Sequence, residues 1–234
     1  MEVVIADEHK LAQLAADAIE RLLRTETAPV LGLATGSSPL RIYDELAARH
    51  KRQGLSFAHA QAFMLDEYVG IAADHPERYR NVIDTEIATR VDFAEAGGID
   101  LQILGIGTDG HIAFNEPGSS LASRTRVKSL TYQTRVDNAR FFDGDVDQVP
   151  SLCLTQGLGT IMEARHLVLV ATGGGKAEAV HQMIEGPVSA MWPATVLQMH
   201  PHVTVLVDDA AASRLQLGDY YRHAFENKPD WQHL

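Results

Sequence analysis

Cysteine is nearly absent. Cys153 is the single one in 234 residues, so the chain forms no intrachain disulfide and offers no cysteine-based zinc site. The expectation for it is a small, buried apolar side chain. Long apolar runs are also missing, and no window reaches the length of a membrane span, so no membrane partner is expected. Positive charge is in short supply: 20 Lys and Arg against 31 Asp and Glu give a formal net charge of −11. Neutralising a phosphate backbone needs a basic surface, so a nucleic-acid partner is not expected either. A small anion stays within reach, because it needs only a local cluster of cations and backbone N–H groups. The first residues, MEVVIADEHK, lack the basic flank and long apolar core of a signal peptide, which points to a cytoplasmic protein. Internal repeats, low-complexity tracts and Pro/Ser-rich linkers are missing too. One domain over 1–234 is the expectation.

What is present is 45% apolar and 22% charged residues, ordinary proportions for a globular chain with a core. Strand-like runs recur at EVVI (2–5), VLGLA (30–34), QAFML (61–65), DLQILGI (100–106), HLVLVA (166–171) and VTVLV (203–207). Leu11, Leu14, Ala15, Ala18, Ile19 and Leu22 keep the spacing of one helix face, and Leu40, Tyr43, Leu46 and Ala47 begin another. Further helices are expected at 176–185 and 209–217. The alternation predicts an α/β fold: an open, doubly wound, mostly parallel sheet with helices on both faces, Rossmann-like and three-layered. The segment 128–150, with mixed charge, Gly144 and several aspartates, is the least regular. It reads as a surface connection or a mobile flap.

In open α/β sheets ligands bind beyond the carboxyl ends of the strands. That makes ATGSSP (34–39), LDEYVG (65–70), GIGTDGH (105–111) and ATGGGK (171–176) candidate site loops. In the first, Thr35, Gly36, Ser37 and Ser38 run into Pro39. This is ordinary helix-start chemistry, and equally an anion cradle of backbone N–H groups and hydroxyls at the positive end of a helix. In the last, Lys176 opens a helix after three glycines. A lysine there opposes the helix dipole, which hints at a facing anion, although a solvated lysine on a turn is the plainer alternative. Neither loop is a nucleotide P-loop, since the first lacks Gly-Lys-Ser/Thr and the second has Ala177 where a Mg²⁺-binding hydroxyl would stand. Asp66 and Glu67 directly follow an apolar strand, where a carboxylate could act as a base or simply cap the next turn.

The stretch GIGTDGHIAFNEPG (105–118) opens with G-x-G-x-x-G, yet it does not read as a dinucleotide fingerprint. That fingerprint needs a long helix and an acid about twenty residues on. Here Asn115-Glu116-Pro117-Gly118 stops any helix early, and the later chain reads TRVKSL, basic rather than acidic. Acid–base chemistry fits better: Asp109 and Glu116 flank His111, and carboxylates can fix an imidazole's tautomer and stabilise its charge while its free nitrogen moves a proton. A surface turn with scattered polar residues would carry the same spacing. A metal is less favoured, because the stretch has one histidine. His200-Pro201-His202 is a second ligand pair on paper, but a solvated turn before a strand accounts for it more simply.

Taken in order, LGLATGSSPL, LDEYVG, LGIGTDGHIAFNEPGSSLASRTR, DNARFF and GKAEAV closely resemble the glucosamine-6-phosphate deaminases, over nearly the whole chain. The 6-phosphogluconolactonases share a G-x-G-x-D-G-H turn but continue toward Leu-Phe-Pro, whereas this chain reads Phe114-Asn115-Glu116-Pro117. A lactonase-like hydrolase and a non-catalytic sugar-phosphate-binding module, as in some transcription regulators, are the alternatives. The resemblance implies conversion of D-glucosamine 6-phosphate and water to D-fructose 6-phosphate and ammonia, with no metal or other cofactor. It implies Asp66 as the base between C2 and C1, and His111 as the ring opener, set by Asp109 and Glu116. Thr35, Gly36, Ser37, Ser38, Arg140 and Lys176 would hold the 6-phosphate. It further implies a homo-oligomer, with Ser119, Ser120, Arg126 and Lys128 at an inter-subunit site for an N-acetylglucosamine 6-phosphate activator, and a lid within 128–150. One departure stands out. Only ATRVDFAEAGGI (88–99) joins HPERYRNVIDTEI to DLQILGI, roughly two dozen residues fewer than family members usually have on a loop-length view.

Overall fold

In the computed structural model, which describes residues 1–92 and 99–229, the chain opens with β1 (Glu2–Ile5) and α1 (Glu8–Thr25). Asp7 caps α1 by accepting from the Lys10 N–H at 3.0 Å, and Leu11, Leu14, Ala15, Ala18 and Ile19 form its buried stripe. There follow β2 (Val30–Leu33), α2 (Leu40–Gln53), β3 (Gln61–Met64), β4 (Asp66–Tyr68), α3 (Tyr79–Glu86) and β5 (Leu101–Leu104). The rest comprises β6 (Arg126–Ser129), α4 (Tyr132–Asn138), β7 (Leu152–Thr155), α5 (Leu158–Ile161), β8 (His166–Ala171), α6 (Ala177–Glu185), β9 (Val203–Val207) and α7 (Gly218–Glu226). No helix among the described residues is long and apolar enough to cross a membrane.

Six strands pair in parallel in the order β1-β9-β8-β5-β2-β3. The central strands β2, β5, β8 and β9 are buried along their whole length, which explains why they read as continuous apolar runs. From β2 the chain steps outward to β3, whereas β5, β8 and β9 step the other way. Right-handed crossovers therefore place α1 and α2 on one face and α6 on the other, the doubly wound arrangement expected. Arg49 ties α1 to α2 from a nearly buried position, with ion pairs to Asp17 (2.7 Å), Glu20 (2.9 Å) and Glu45 (2.8 Å).

The sequence reading misses a second sheet. β4, β7 and β6 pair antiparallel in that order, with Asp66 opposite Thr155 and Arg126 opposite the same residue. These strands are three or four residues long, and RVKS carries no apolar run to announce itself. Tyr68, Phe114, Leu130, Ala139, Phe142, Val149 and Cys153 form a small core of their own beneath it. Cys153 is fully buried, as expected. Segment 128–150 is accordingly more regular than its composition indicated, with α4 followed by 3₁₀ turns at Ala139–Phe141 and Val146–Gln148.

Two expectations need correction. The helix expected at 209–217 is a series of turns, and α7 starts only at Gly218. Three backbone donors there go to carboxylates, Ala211 N–H to Asp208 (2.7 Å), and Gln216 and Leu217 N–H to Glu185 (2.8 and 2.9 Å), while Ala212, Ser213 and Leu215 close short turns on backbone carbonyls. The His200–His202 turn is not simply solvated either. His200 is buried, its Nε2 bonded to the Ala164 carbonyl at 2.8 Å, and His202 stacks on His166 with ring centroids 3.6 Å apart.

Burial, then the neighbouring His202 and His200, push His166 down to about 3, far below the usual value of about 6.5. A histidine that resists protonation when folded contributes stability that is full above its unfolded value and is lost as pH falls below it. The urea midpoint should therefore drop between about pH 7.5 and about pH 5, and drop less in His166→Gln. An equal drop in the variant would assign the acid sensitivity elsewhere.

Candidate active site

The change of direction between β2 and β5 leaves a crevice at the carboxyl ends of the strands, and all four loops singled out in the sequence open onto it. They line a cavity of about 820 Å³ that includes Thr35, Gly36, Ser37, Ser38, Asp66, His111, Arg140 and Lys176.

The loop after β5 is shaped around His111. A Cβ on Gly107 would lie 2.2 Å from the imidazole Cε1 and 2.3 Å from Nδ1, so only glycine lets the ring rest on the backbone. Gly107 N–H donates to the His111 carbonyl at 2.8 Å and closes the loop, while Gly110 takes the left-handed conformation (φ 80°) against Trp192. His111 Nδ1 lies 2.7 Å from Asp109 Oδ1 and 3.6 Å from Glu116 Oε2. With Nδ1 engaged, Nε2 is the nitrogen left to exchange protons. Glu116 is almost fully buried and accepts from the Thr131 N–H at 3.1 Å through its other oxygen.

Three carboxylates in one site sit in different electrostatic states. Burial pushes Asp66 up to about 7, with His111 opposing. Burial also disfavours ionised Asp109, but its hydrogen bond and charge contact with His111 outweigh that and hold it well below the usual carboxylate range. Glu116 is raised by burial, His111 again opposing. Asp109, His111 and Glu116 place their ligand atoms within 4.8 Å of one another, a spacing that would admit a metal ion. Such an ion would have to displace the short Asp109–His111 hydrogen bond.

Asp66 and Glu67 divide the two readings of LDEYVG between them. Glu67 is the cap: it accepts from Tyr79 N–H (3.0 Å) and Arg80 N–H (3.0 Å) at the start of α3. Asp66, where the chain leaves the parallel sheet for the antiparallel one, faces the cavity.

On the same cavity, Ser37, Ser38 and Pro39 lead into α2, and Lys176 closes a 3₁₀ turn (Gly174–Lys176) ahead of α6. Burial and the Arg140 charge lower Lys176, Asp137 and Asp109 opposing. Sequence reasoning missed several lining groups. Tyr79 from α3 stacks on Phe114 and lies 3.4 Å from the Tyr68 hydroxyl. Thr108 and Asp137 bond to each other at 2.9 Å, and Asn138 donates to Tyr68 at 3.1 Å. No motif marks these residues; the α3 start after Glu67 is the one signal that could have placed Tyr79.

The four positions linked with regulation lie outside this cavity's wall. Ser119 is buried and its hydroxyl has no partner, whereas Ser120 is exposed. Arg126 and Lys128 share one face of β6, and Arg126 donates to Asn115 Oδ1 at 2.8 Å, next to Glu116.

Fold and site together define an α/β protein with a histidine–carboxylate cluster at a sheet switch point. A family model described as Glucosamine-6-phosphate isomerases/6-phosphogluconolactonase matches residues 73–206. The chain belongs to that family. It is 65% identical to a protein of Mycolicibacterium smegmatis named glucosamine-6-phosphate deaminase, over 259 positions covering 99% of each chain. A protein of Beutenbergia cavernae with the same name is also 65% identical, over all of both chains. Since this chain has 234 residues, at least 25 of the 259 positions in the first alignment have no counterpart in it. The short 88–99 connection accords with such a gap, but its residues 93–98 lie outside the described residues. Among solved structures, a monomeric glucosamine-6-phosphate deaminase superposes with a TM-score of 0.87 at 36% identity, covering 92% of this chain and 100% of its own. A 6-phosphogluconolactonase from Leishmania guyanensis, 19% identical with a TM-score of 0.72 over 90% of this chain and 97% of its own, shares the fold.

Two outcomes test this geometry. Gly107→Ala should cut kcat/KM by about 100-fold through displacement of His111, with the circular dichroism spectrum unchanged. Wild-type activity despite the added methyl would remove the close-approach argument. If Asp66 accepts a proton in its ionised form, kcat/KM should fall on the acid side with a midpoint near the value of about 7 set by burial. A rate that stays flat well below that value would exclude Asp66 as the base.

Proposed function

We propose that the protein converts D-glucosamine 6-phosphate and water to D-fructose 6-phosphate and ammonia, an aldose–ketose isomerisation coupled to deamination in amino-sugar breakdown. The observation that carries this reading is one cavity lined by Asp66, by His111 with its Nδ1 held by Asp109, and by Thr35, Ser37, Ser38, Arg140 and Lys176, which supports two separate proton-transfer groups beside an anion site. The phosphate would rest on Thr35, Gly36, Ser37 and Ser38 with charge-assisted bonds from Arg140 and Lys176. His111 Nε2 would move the proton that opens the pyranose ring, Asp109 holding the tautomer and Glu116 adding negative charge beside it. Asp66 would take the proton from C2 and return it at C1, and water would then replace nitrogen at C2.

No metal or other cofactor has a role in these steps. We place the enzyme in the cytoplasm, as one domain working on a small sugar phosphate without a membrane or nucleic-acid partner. The 128–150 segment, which brings Arg140 to the cavity, would serve as the lid. A homo-oligomer activated by N-acetylglucosamine 6-phosphate through Ser119, Ser120, Arg126 and Lys128 is the regulatory part of the proposal. The Arg126–Asn115 contact beside Glu116 supports it, as does the exposed apolar face of Val127, Leu152 and Leu154 on the second sheet.

A coupled ammonia assay is the test. Glucosamine 6-phosphate should yield ammonia and fructose 6-phosphate in equal amounts, unaffected by chelator, and Asp66→Asn and His111→Gln should each lose at least about 100-fold in kcat. Hydrolysis of 6-phosphogluconolactone without ammonia release would replace this reading with the lactonase one. Binding without turnover would leave a sugar-phosphate-binding module.

A further inference from the structure

Asp137 on α4 has its two carboxylate oxygens engaged in different directions. Oδ1 accepts from Gln133 Nε2, one turn back, at 2.8 Å, and Oδ2 accepts the Thr108 hydroxyl at 2.9 Å. Thr108 belongs to the loop after β5, 29 residues away in sequence. It stands between Gly107, on which the His111 ring rests, and Asp109, which holds Nδ1. One hydrogen bond therefore joins α4 to the backbone that positions the ring-opening pair.

Asp137 stands one residue before the C-terminal end of α4, and that end runs directly into the 3₁₀ turn Ala139–Phe141, which carries Arg140. That guanidinium lies 4.7 Å from the centroid of the Phe141 ring, so the turn fixes its direction as well as its place. Thr108, Asp137, Arg140 and Lys176 all line the cavity. Both partners of the bond are ordered before they meet: Gln133 braces the carboxylate, and the Gly107–His111 and Gly110–Gly107 backbone bonds (2.8 and 3.1 Å) fix the loop. An exposed hydrogen bond between two mobile side chains would contribute little, whereas one between pre-ordered partners loses less entropy on forming.

We infer that the Thr108–Asp137 hydrogen bond is a latch: it docks α4 on the catalytic loop, so that Arg140 meets the phosphate while the Asp109–His111 pair meets the sugar ring. The inference rests on the sugar-phosphate reading of the cavity. Thr108 and Asp137 are positioning residues, since they act through Arg140 and His111. In the bound complex the phosphate itself holds Arg140, so the latch chiefly lowers the cost of capture and shows in KM rather than kcat. Asp137 has an opposing second effect. Its charge supports the Lys176 ammonium in the empty site and repels an incoming phosphate.

The closing experiment separates these effects by measuring kcat and KM for glucosamine 6-phosphate, and the Kd of inorganic phosphate by calorimetry. Thr108→Val, which changes no charge, should raise both KM and the phosphate Kd about tenfold, as loss of a hydrogen bond to a charged acceptor would, while kcat stays within about threefold. Thr108→Ser keeps the hydroxyl and should restore wild-type values. Asp137→Asn keeps an acceptor and removes the charge, so its phosphate Kd should not rise. In an Asp137→Ala background, Thr108→Val should cost nothing further. Unchanged phosphate affinity in Thr108→Val, an equal penalty in the Asp137→Ala background, or a loss confined to kcat would each overturn the latch. If glucosamine 6-phosphate is not turned over at all, the function reading fails, and the calorimetric series still decides the latch on its own.

Discussion

The reversal of winding direction between the parallel strands β2 and β5 is the constraint on which the rest of the molecule depends. Parallel strands need crossover connections, and where successive crossovers diverge, neighbouring loops separate instead of packing together. In this chain the diverging loops are those after β2 and β5, with the β3 and β8 loops on either side. The crevice is thus a consequence of winding order, and it exists before any side chain is chosen. What the sequence adds is the lining: hydroxyls and glycine after β2, a carboxylate after β3, the Asp109–His111 pair after β5 and a lysine after β8.

Within the crevice, one solvent environment would make all the carboxylates alike. The fold prevents this by giving each a different balance of burial and hydrogen bonding. Asp66, at the seam between the two sheets, has burial as its dominant influence and is held near neutrality, where a base can both accept and return a proton. Asp109 has the imidazole at 2.7 Å and stays ionised. Glu67, one residue from Asp66, is used to cap α3. Splitting the carboxylate states in this way is how acid and base roles coexist in a small volume. It also explains the need for glycine at position 107, because the hydrogen bond that sets Asp109 requires the ring to lie on the backbone.

The four central parallel strands were legible in the sequence because burial on both faces leaves few polar positions to obscure them, while the edge strands β1 and β3 showed as short apolar runs despite their partial exposure. The same reasoning could not find β4, β6 and β7. Those strands are short, and their pairing is set by the edge that β4 offers after leaving β3, a tertiary fact. The turns at 209–217 misled for a related reason: their apolar spacing suits a helix, but Asp208 and Glu185 take the backbone donors a helix would use. For the site, loop chemistry singled out Asp66, His111 and Lys176. Arg140 entered through family resemblance alone, and Tyr79 and the Thr108–Asp137 pair are brought to the cavity only by the fold, because nothing in a tyrosine, threonine or aspartate at those positions distinguishes it from any exposed polar residue.

A chain of formal charge −11 that binds a dianion needs its positive charge concentrated in one place. In the proposed phosphate site two cations, Arg140 and Lys176, would supply it, close enough that the Arg140 charge disfavours the Lys176 ammonium. Left alone, that repulsion and the desolvation of Lys176 would work against keeping the empty site assembled. Asp137 and Asp109 offset part of it. The same carboxylates weaken the hold on phosphate once it is bound, since they compete for the same cations. An active site must release a product that carries the same phosphate as its substrate, so binding both equally tightly would gain nothing in turnover. Under the proposed assignment of Arg140 and Lys176, partial neutralisation of these cations by resident carboxylates would let one cavity capture and release the same anion.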